Sequence, residues 1–206
     1  YEHIIWDWNG TLFNDVELCV DIMNGLLKRF ELPKLTLDRY QSIFTFPVEK
    51  YYEKAGLDLQ SNSFQKLGKE WMDEYESRKP EASLHDKAAE ILNKISDNNI
   101  GQSILSAYSQ NTLTEMLQNF NIHGYFQNAI GLDHIYATGK LELGKELLKK
   151  IDASKEKIVL VGDTLHDFEV AEELGIHHIL IASGHQSFER LREFSDSVYR
   201  DLDSLS

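Results

Sequence analysis

Disulfide bonds cannot organise this chain. Cys19 is the single cysteine in 206 residues, so no internal bridge can form. That fits a reducing compartment and sets a cytoplasmic location as the expectation. No apolar run approaches the length of a membrane span, and no stretch reads as a signal peptide, so no membrane partner is expected. Basic residues are scarce, 21 Lys and Arg against 34 Asp and Glu, for a formal net charge of −13. A broad nucleic-acid footprint wants a basic face, so that partner class is set aside. The same imbalance constrains any anion-binding function. Overall electrostatics repel an anion, so local cations, backbone amides or a metal must hold it.

What is present is a core. Apolar residues make up 42% of the chain, enough for one large domain or one domain with a small insertion. Five short apolar runs read as strands buried on both faces: "HIIWDW" (3–8), "SILS" (103–106), "NAIGL" (128–132), "KIVLVGD" (157–163) and "HHILIAS" (177–183). Buried parallel strands read as continuous apolar stretches. Helical patterns lie between most of them. "NTLTEMLQNF" carries a capping box from Thr112 to Glu115. "ELGKELLKKI" and "DFEVAEELG" follow, the second stopping at Gly175. Alternating strands and helices predict a parallel α/β sheet.

One interval breaks the rhythm. From Asn14 to Lys79 no strand is legible. "DVELCVDIMNGLLKRF" places Val16, Val20, Met23, Leu27 and Phe30 on one helical stripe. "TLDRYQSIF", "PVEKYYEKAG" and "SFQKLGKEWMDEY" predict three further helices, with Pro47 in a first turn and Gly56 as a stop. A helical unit is therefore inserted directly after the first strand, with Pro80 marking the return. No internal repeat or low-complexity segment is present.

Ligands of parallel α/β sheets bind at the carboxyl ends of strands. Asp7 ends the first run and Ser106 the second. Asp163 ends the fourth, with Asp167 one helical turn later in "VGDTLHD". Lys140 lies before the "ELGKELL" helix. Each residue alone has an ordinary reading. Asn9-Gly10 between apolar residues is a strong signal for a two-residue hairpin. Asp163 and Asp167 suit a helix N-terminus. Ser106 alone suits a loop and Lys140 a solvated surface. Their joint placement at one sheet edge argues for chemistry.

Other patterns carry less. "GKLELGK" (139–145) matches the start of a phosphate loop but has Glu146 where a hydroxyl must hold Mg²⁺. His177 and His178 are neighbours on a strand and point to opposite faces, so they cannot easily share one ion. His185 lies just beyond the carboxyl end of the fifth strand, where it could touch a substrate, but its ordinary reading is an exposed loop residue. Phe44, Phe46, Tyr51 and Tyr52 either pack between helices or line the inner face of the inserted unit.

Four segments in order, "DWNGTL" (7–12), Ser106 after "SIL", Lys140 in "TGKLELG" and "GDTLHD" (162–167), resemble the motifs of the haloacid dehalogenase-like hydrolase superfamily. The helical insertion resembles that superfamily's C1-type cap, and the nearest likeness is to phosphoglycolate-phosphatase-like members. The resemblance implies a three-layer Rossmann-like core over 1–13 and 80–206, and an all-helical cap over 14–79. It implies a Mg²⁺-dependent phosphatase acting on a small phosphorylated metabolite through an aspartyl-phosphate. Asp7 would be the nucleophile. Mg²⁺ would be held by Asp7, the carbonyl of Asn9, Asp163 and Asp167. Lys140 would offset charge, and Ser106 with the amides around Gly10 and Thr11 would cradle the transferring oxygens. A dehalogenase needs no Mg²⁺, and the GDxxxD carboxylates argue against that branch. A receiver-type phospho-acceptor domain has no cap.

The sequence departs from the family at Asn9, where the phosphatases usually carry a second Asp. Asn has nearly the same shape but exchanges no proton. Three readings follow: a leaving group that needs little protonation, such as an aryl or acyl phosphate; another acid, His166 or a cap residue; or a catalytically weak phosphate-binding or regulatory protein on the same fold.

Overall fold

The computed structural model describes residues 1–132 and 139–205. In chain order the elements are β1 (His3–Trp6), β2 (Phe13–Asn14), α1 (Val16–Arg29), α2 (Leu37–Ile43), α3 (Val48–Ala55), α4 (Phe64–Arg78), β3 (Ser83–Leu84), α5 (Ala88–Asp97) and β4 (Gly101–Ser109). There follow α6 (Gln110–Asn119), β5 (Asn128–Leu132), α7 (Lys140–Leu148), β6 (Ile158–Gly162), α8 (Leu165–Leu174), β7 (His177–Ile181), α9 (Phe188–Arg192) and β8 (Val198–Tyr199). Strands β5-β4-β1-β6-β7-β8 form a six-stranded sheet, and every pairing in it is parallel. The predicted α/β class with a parallel sheet is what the chain adopts.

Successive residues of a strand face opposite sides of the sheet, and this builds three layers. Trp6, Ile104 and Val161 stand in register on one side and pack with Ile91 and Leu92 of α5 and Leu113 and Leu117 of α6. Their neighbours Ile5, Leu105 and Leu160 face the other side and pack with Leu147 of α7 and Val170 and Leu174 of α8. β1 lies at the centre. The chain first builds outward through β4 and β5, then crosses back to β6. Crevices therefore open beside the carboxyl end of β1, where topology reverses direction.

Helices α1–α4 stand between β2 and β3, which pair with each other antiparallel. This two-stranded ribbon was not legible in the sequence, because two residues are too few for a pattern. The helical unit has its own apolar cluster, including Ile22, Met23, Leu27, Tyr40 and Tyr75. Burying a side chain such as Leu27 contributes roughly 1.5–3 kcal/mol. Gly56 ends α3 in the left-handed conformation, as its position predicted.

Three local expectations change. Helix α6 begins at Gln110 with Ser109 as N-cap, so Thr112 sits inside the helix and caps nothing. Strand β4 does not end at Ser106 but continues to Ser109, with its register on β5 shifting between Leu105 and Ser109. The irregularity lies between Leu105 and Ser109, the stretch that holds Ser106, and bulges near sites re-aim side chains. β8 adds a strand that the sequence did not announce.

Candidate active site

Asp7 follows β1 immediately, and its amide donates to the Val161 carbonyl at 2.8 Å. The chain then turns tightly. The Trp8 carbonyl accepts the amides of Thr11, Leu12 and Phe13 at 3.3, 3.0 and 2.9 Å. This is no hairpin between paired strands: β1 pairs only with β4 and β6. Gly10 takes φ +76° in the turn. A Cβ there would lie 2.3 Å from Asp163 Oδ2, and one at Gly184 would lie 2.2 Å from the same oxygen. Two glycines thus let main chain close around Asp163.

Lys140, the first residue of α7, joins the carboxylates. Its Nζ donates to Asp7 Oδ1, and to Asp167 Oδ1 at 2.5 Å. Asp167 sits in the first turn of α8, where the helix dipole favours a carboxylate. Its Oδ2 accepts the Thr164 hydroxyl at 2.7 Å and the Thr164 amide at 3.1 Å. The Thr11 hydroxyl donates to Asp163 Oδ1 at 3.2 Å and reaches Asp7 Oδ2 at 3.5 Å. All of these groups are buried.

Electrostatics of this cluster are unbalanced. Burial pushes the Asp7 carboxyl up to about 6, against the pull of Lys140. Burial pushes Asp163 up to about 7, opposed by His185 and reinforced by Asp7 and Asp167. Asp167 is held low, because Lys140 and Thr164 outweigh its burial. Three carboxylates facing one lysine leave a deficit of two positive charges. Oxygens of Asp7, Asp163 and Asp167 lie within 4.8 Å of one another. A divalent cation with oxygen ligands fits both the charge and the donor set.

Behind this cluster lies a second network. The Asp15 carboxylate accepts Asn9 Nδ2 at 2.9 Å, the Gly10 amide at 3.1 Å and the Tyr75 hydroxyl at 2.6 Å. Its Oδ1 pairs with His185 Nε2 at 3.3 Å. Asn9 Nδ2 also donates to the Tyr75 oxygen at 2.7 Å. On the other edge of the ring, His185 Nδ1 meets the Tyr40 hydroxyl at 2.8 Å. Burial disfavours the imidazolium, but Asp15, then Asp163 and Asp7, outweigh it and raise His185 to about 9. His185 was expected to be an exposed loop residue. It is instead 6% exposed, because the loop after β7 folds under α2. There Gln41 donates to the Gly184 carbonyl at 2.8 Å, and Gln186 donates to the Phe44 carbonyl at 3.0 Å.

Asp7, Asn9, Ser106, Lys140, Asp163 and Asp167 all line one cavity of about 150 Å³. Gly10 and Thr11 do not contribute their amides to it. The Gly10 amide is taken by Phe13 and Asp15, and the Thr11 amide by Trp8. The tight turn consumes those donors, leaving the Thr11 hydroxyl as the group that faces the carboxylates. Ser106 Oγ accepts the Tyr108 amide at 3.1 Å. Thr138, which opens the segment around Lys140, lies outside the described residues. Of the four aromatics, Phe44 and Phe46 line the cavity, while Tyr51 packs edge-on against Tyr40. His177 and His178 have separate partners, the Glu156 carbonyl and Ser195.

A model of the family described as "Haloacid dehalogenase-like hydrolase" matches residues 4–181. The chain belongs to this family. Among its curated relatives is the "Pyrophosphatase PpaX" of Halalkalibacterium halodurans, 23% identical over 98% of this chain and 94% of that protein. A second pyrophosphatase of that name, from Listeria monocytogenes serotype 4a, is 24% identical over 82% of this chain and 77% of its own. In fold, the chain resembles a haloacid dehalogenase-like family protein of Streptococcus pneumoniae, with a TM-score of 0.80 at 21% identity, covering 99% and 96% of the two chains. Within this family fold, the sequence reading did not name Asp15, Tyr40 or Tyr75. Asp15 was hidden as a helix-start carboxylate, and the tyrosines as apolar stripe residues of a helical unit. No helix among the described residues is long and apolar enough to cross a membrane.

Proposed function

We propose that this protein hydrolyses a small phosphomonoester, with Asp7 as nucleophile and Mg²⁺ as its metal. The observation that carries the reading is the Lys140 ammonium set between Asp7 and Asp167, with Asp163 beside them. A carboxylate at a strand end, paired with a lysine inside a three-carboxylate cluster that lacks two positive charges, suits attack on a phosphate dianion once a cation is bound. Mg²⁺, when bound by Asp7, Asp163, Asp167 and the Asn9 carbonyl, would neutralise phosphoryl charge. Lys140 would offset further charge as a point cation, and Ser106 would hold a phosphoryl oxygen. The pyrophosphatase names of the relatives support phosphoryl chemistry in general. Residues 14–79 would act as a cap that excludes water from the reacting centre; the hydrogen bonds of Gln41, Gln186 and Tyr40 to or from the loop after β7 support this.

Asn9 favours a second reading, a phosphate-binding protein with little turnover. One experiment separates the two. With Mg²⁺ and an aryl phosphate, the wild type is expected to release inorganic phosphate, and an acid-quenched sample should carry phosphate on the peptide containing Asp7. Asp7→Asn should abolish both. Phosphate release that survives Asp7→Asn would remove the nucleophile assignment, and binding without any release would leave the second reading.

A further inference from the structure

A second cavity, of about 390 Å³, adjoins the carboxylate site and shares Asn9, Phe44, Phe46, Tyr108 and His185 with it. It runs between the sheet edge and helices α2–α4. Its far walls are aromatic: Tyr52, Phe64, Trp71 and Tyr75. Trp71 and Tyr75 stack at 5.2 Å between centroids, and Tyr52 meets Phe64 edge-on at the same distance. No lysine or arginine lines it among the described residues. The charged groups that do are Asp15 and His185, which are paired with each other. The indole Nε1 of Trp71 is buried with no partner among the described residues.

We infer that the substrate is the phosphate ester of an aromatic hydroxyl, whose ring occupies this cavity while its phosphate lies against Asp7 and Lys140. The inference rests on the phosphatase reading above and names the substrate class of the same site. Two independent features carry it. The first is the lining. An anionic leaving group, such as phosphate or a carboxylate-bearing alcohol, would meet Asp15 and no free cation there. A flat ring would instead meet offset and edge-on aromatic partners. The volume falls in the lower part of the range for small-molecule sites, roughly 300–1,000 Å³.

The second feature is Asn9. It cannot hand a proton to a departing oxygen. A phenolic oxygen ionises near pH 10, as the tyrosine hydroxyl does, and leaves as an aryloxide far more readily than an alkoxide. The Asp7 carboxylate forms an O–P bond as the bond from phosphorus to the aryl oxygen breaks. The aryloxide departs with the electron pair and takes a proton from water. Water then attacks phosphorus, the bond to Asp7 breaks, and phosphate is released.

The test compares 1-naphthyl phosphate, acetyl phosphate and pyrophosphate with Mg²⁺, in the wild type and in Gly68→Leu. Gly68 lines the cavity from within α4, and a Cβ there would meet only Phe64, at 3.9 Å. Leucine is also the better helix former. The wild type should show a kcat/KM for 1-naphthyl phosphate at least tenfold above that for pyrophosphate. Gly68→Leu should lower the ratio of naphthyl to acetyl phosphate kcat/KM at least tenfold. A pyrophosphate value equal to or above the naphthyl one, or an unchanged ratio in Gly68→Leu, overturns the aromatic class while leaving phosphatase activity in place. Hydrolysis of none of the three phosphates overturns the phosphatase reading, and the inference with it.

Discussion

Asn9 donates its side-chain amide to the Asp15 carboxylate at 2.9 Å, inside a network that also ties Asp15 to Tyr75 and His185. The pairing gives a local reason for asparagine at position 9. A carboxylate there would face a second carboxylate at hydrogen-bonding distance, and like charges so close cannot both ionise comfortably. The amide instead satisfies Asp15 and links the start of α1 to Tyr75 of α4. The Asn9 amide exchanges no proton and is committed to holding Asp15 and Tyr75.

Kinetics should show the consequence. If Asp7 is the nucleophile proposed above, loss of naphthol from 1-naphthyl phosphate would need no enzymic acid, but attack of water on phospho-Asp7 would lack a base. A burst of naphthol near one equivalent per enzyme is expected, followed by slower turnover. The double variant Asn9→Asp with Asp15→Asn keeps one amide and one carboxyl at the pair. It should raise the slow phase by ~10²-fold, the lower part of the usual range for general acid–base catalysis, and shrink the burst. Asn9→Asp alone should gain less, because it opposes two carboxylates. A rapid-mixing trace without a burst, together with no gain in the double variant, would show that position 9 does not limit the reaction.

Metal binding should appear in thermal stability. Asp163 is a buried carboxylate left partly uncompensated, with its pKa pushed up to about 7 chiefly by burial. In metal-free buffer, Asp163→Asn should melt at or above the wild-type temperature, since asparagine keeps an acceptor for the His185 amide. Mg²⁺ at a hundred times its dissociation constant stabilises a folded protein by ~2.7 kcal/mol. For a chain of this size that is a rise of about 5–10 °C. The wild type should show it and Asp163→Asn should not. Equal rises in both proteins would place the metal elsewhere.

His3 sets an acid limit away from the site. It is buried at the start of β1, and its Nε2 lies 2.9 Å from Ser103 Oγ. Burial lowers its pKa from 6.5 to about 4. Between those values the unfolded chain binds a proton that the folded chain does not. The contribution is therefore complete above pH 6.5 and is lost as pH falls toward 4. Its size is up to about 3 kcal/mol. Urea midpoints of His3→Gln should decline less than those of the wild type between pH 6.5 and 4.5. Parallel curves would show that His3 titrates alike in both states.

Much of this protein was legible because its signals are local. The five apolar runs became five adjacent strands of the sheet, and Gly56 and Gly175 ended the helices they follow. Asp7, Lys140, Asp163 and Asp167 met at one sheet edge because strand ends of a parallel sheet must converge there. What failed to show has a common cause. The capping box at Thr112 did not form because the helix already starts at Gln110, and Ser109 at its N-cap makes no side-chain cap bond. β8 and the β2–β3 ribbon are too short to leave a period. His185 looked like any polar loop residue, since burial of a loop depends on what folds over it.

The sequence by itself therefore determined the α/β class, the helical insertion and the order of the residues that meet at the sheet edge, all of which follow from periodicity and strand topology. Tertiary structure alone decided which groups those residues face. It spent the Gly10 and Thr11 amides inside the turn and buried His185 between Asp15 and Tyr40. It also brought aromatic side chains from three separate helices around one cavity. Contacts between residues 60 to 145 positions apart in the chain leave no local pattern to read.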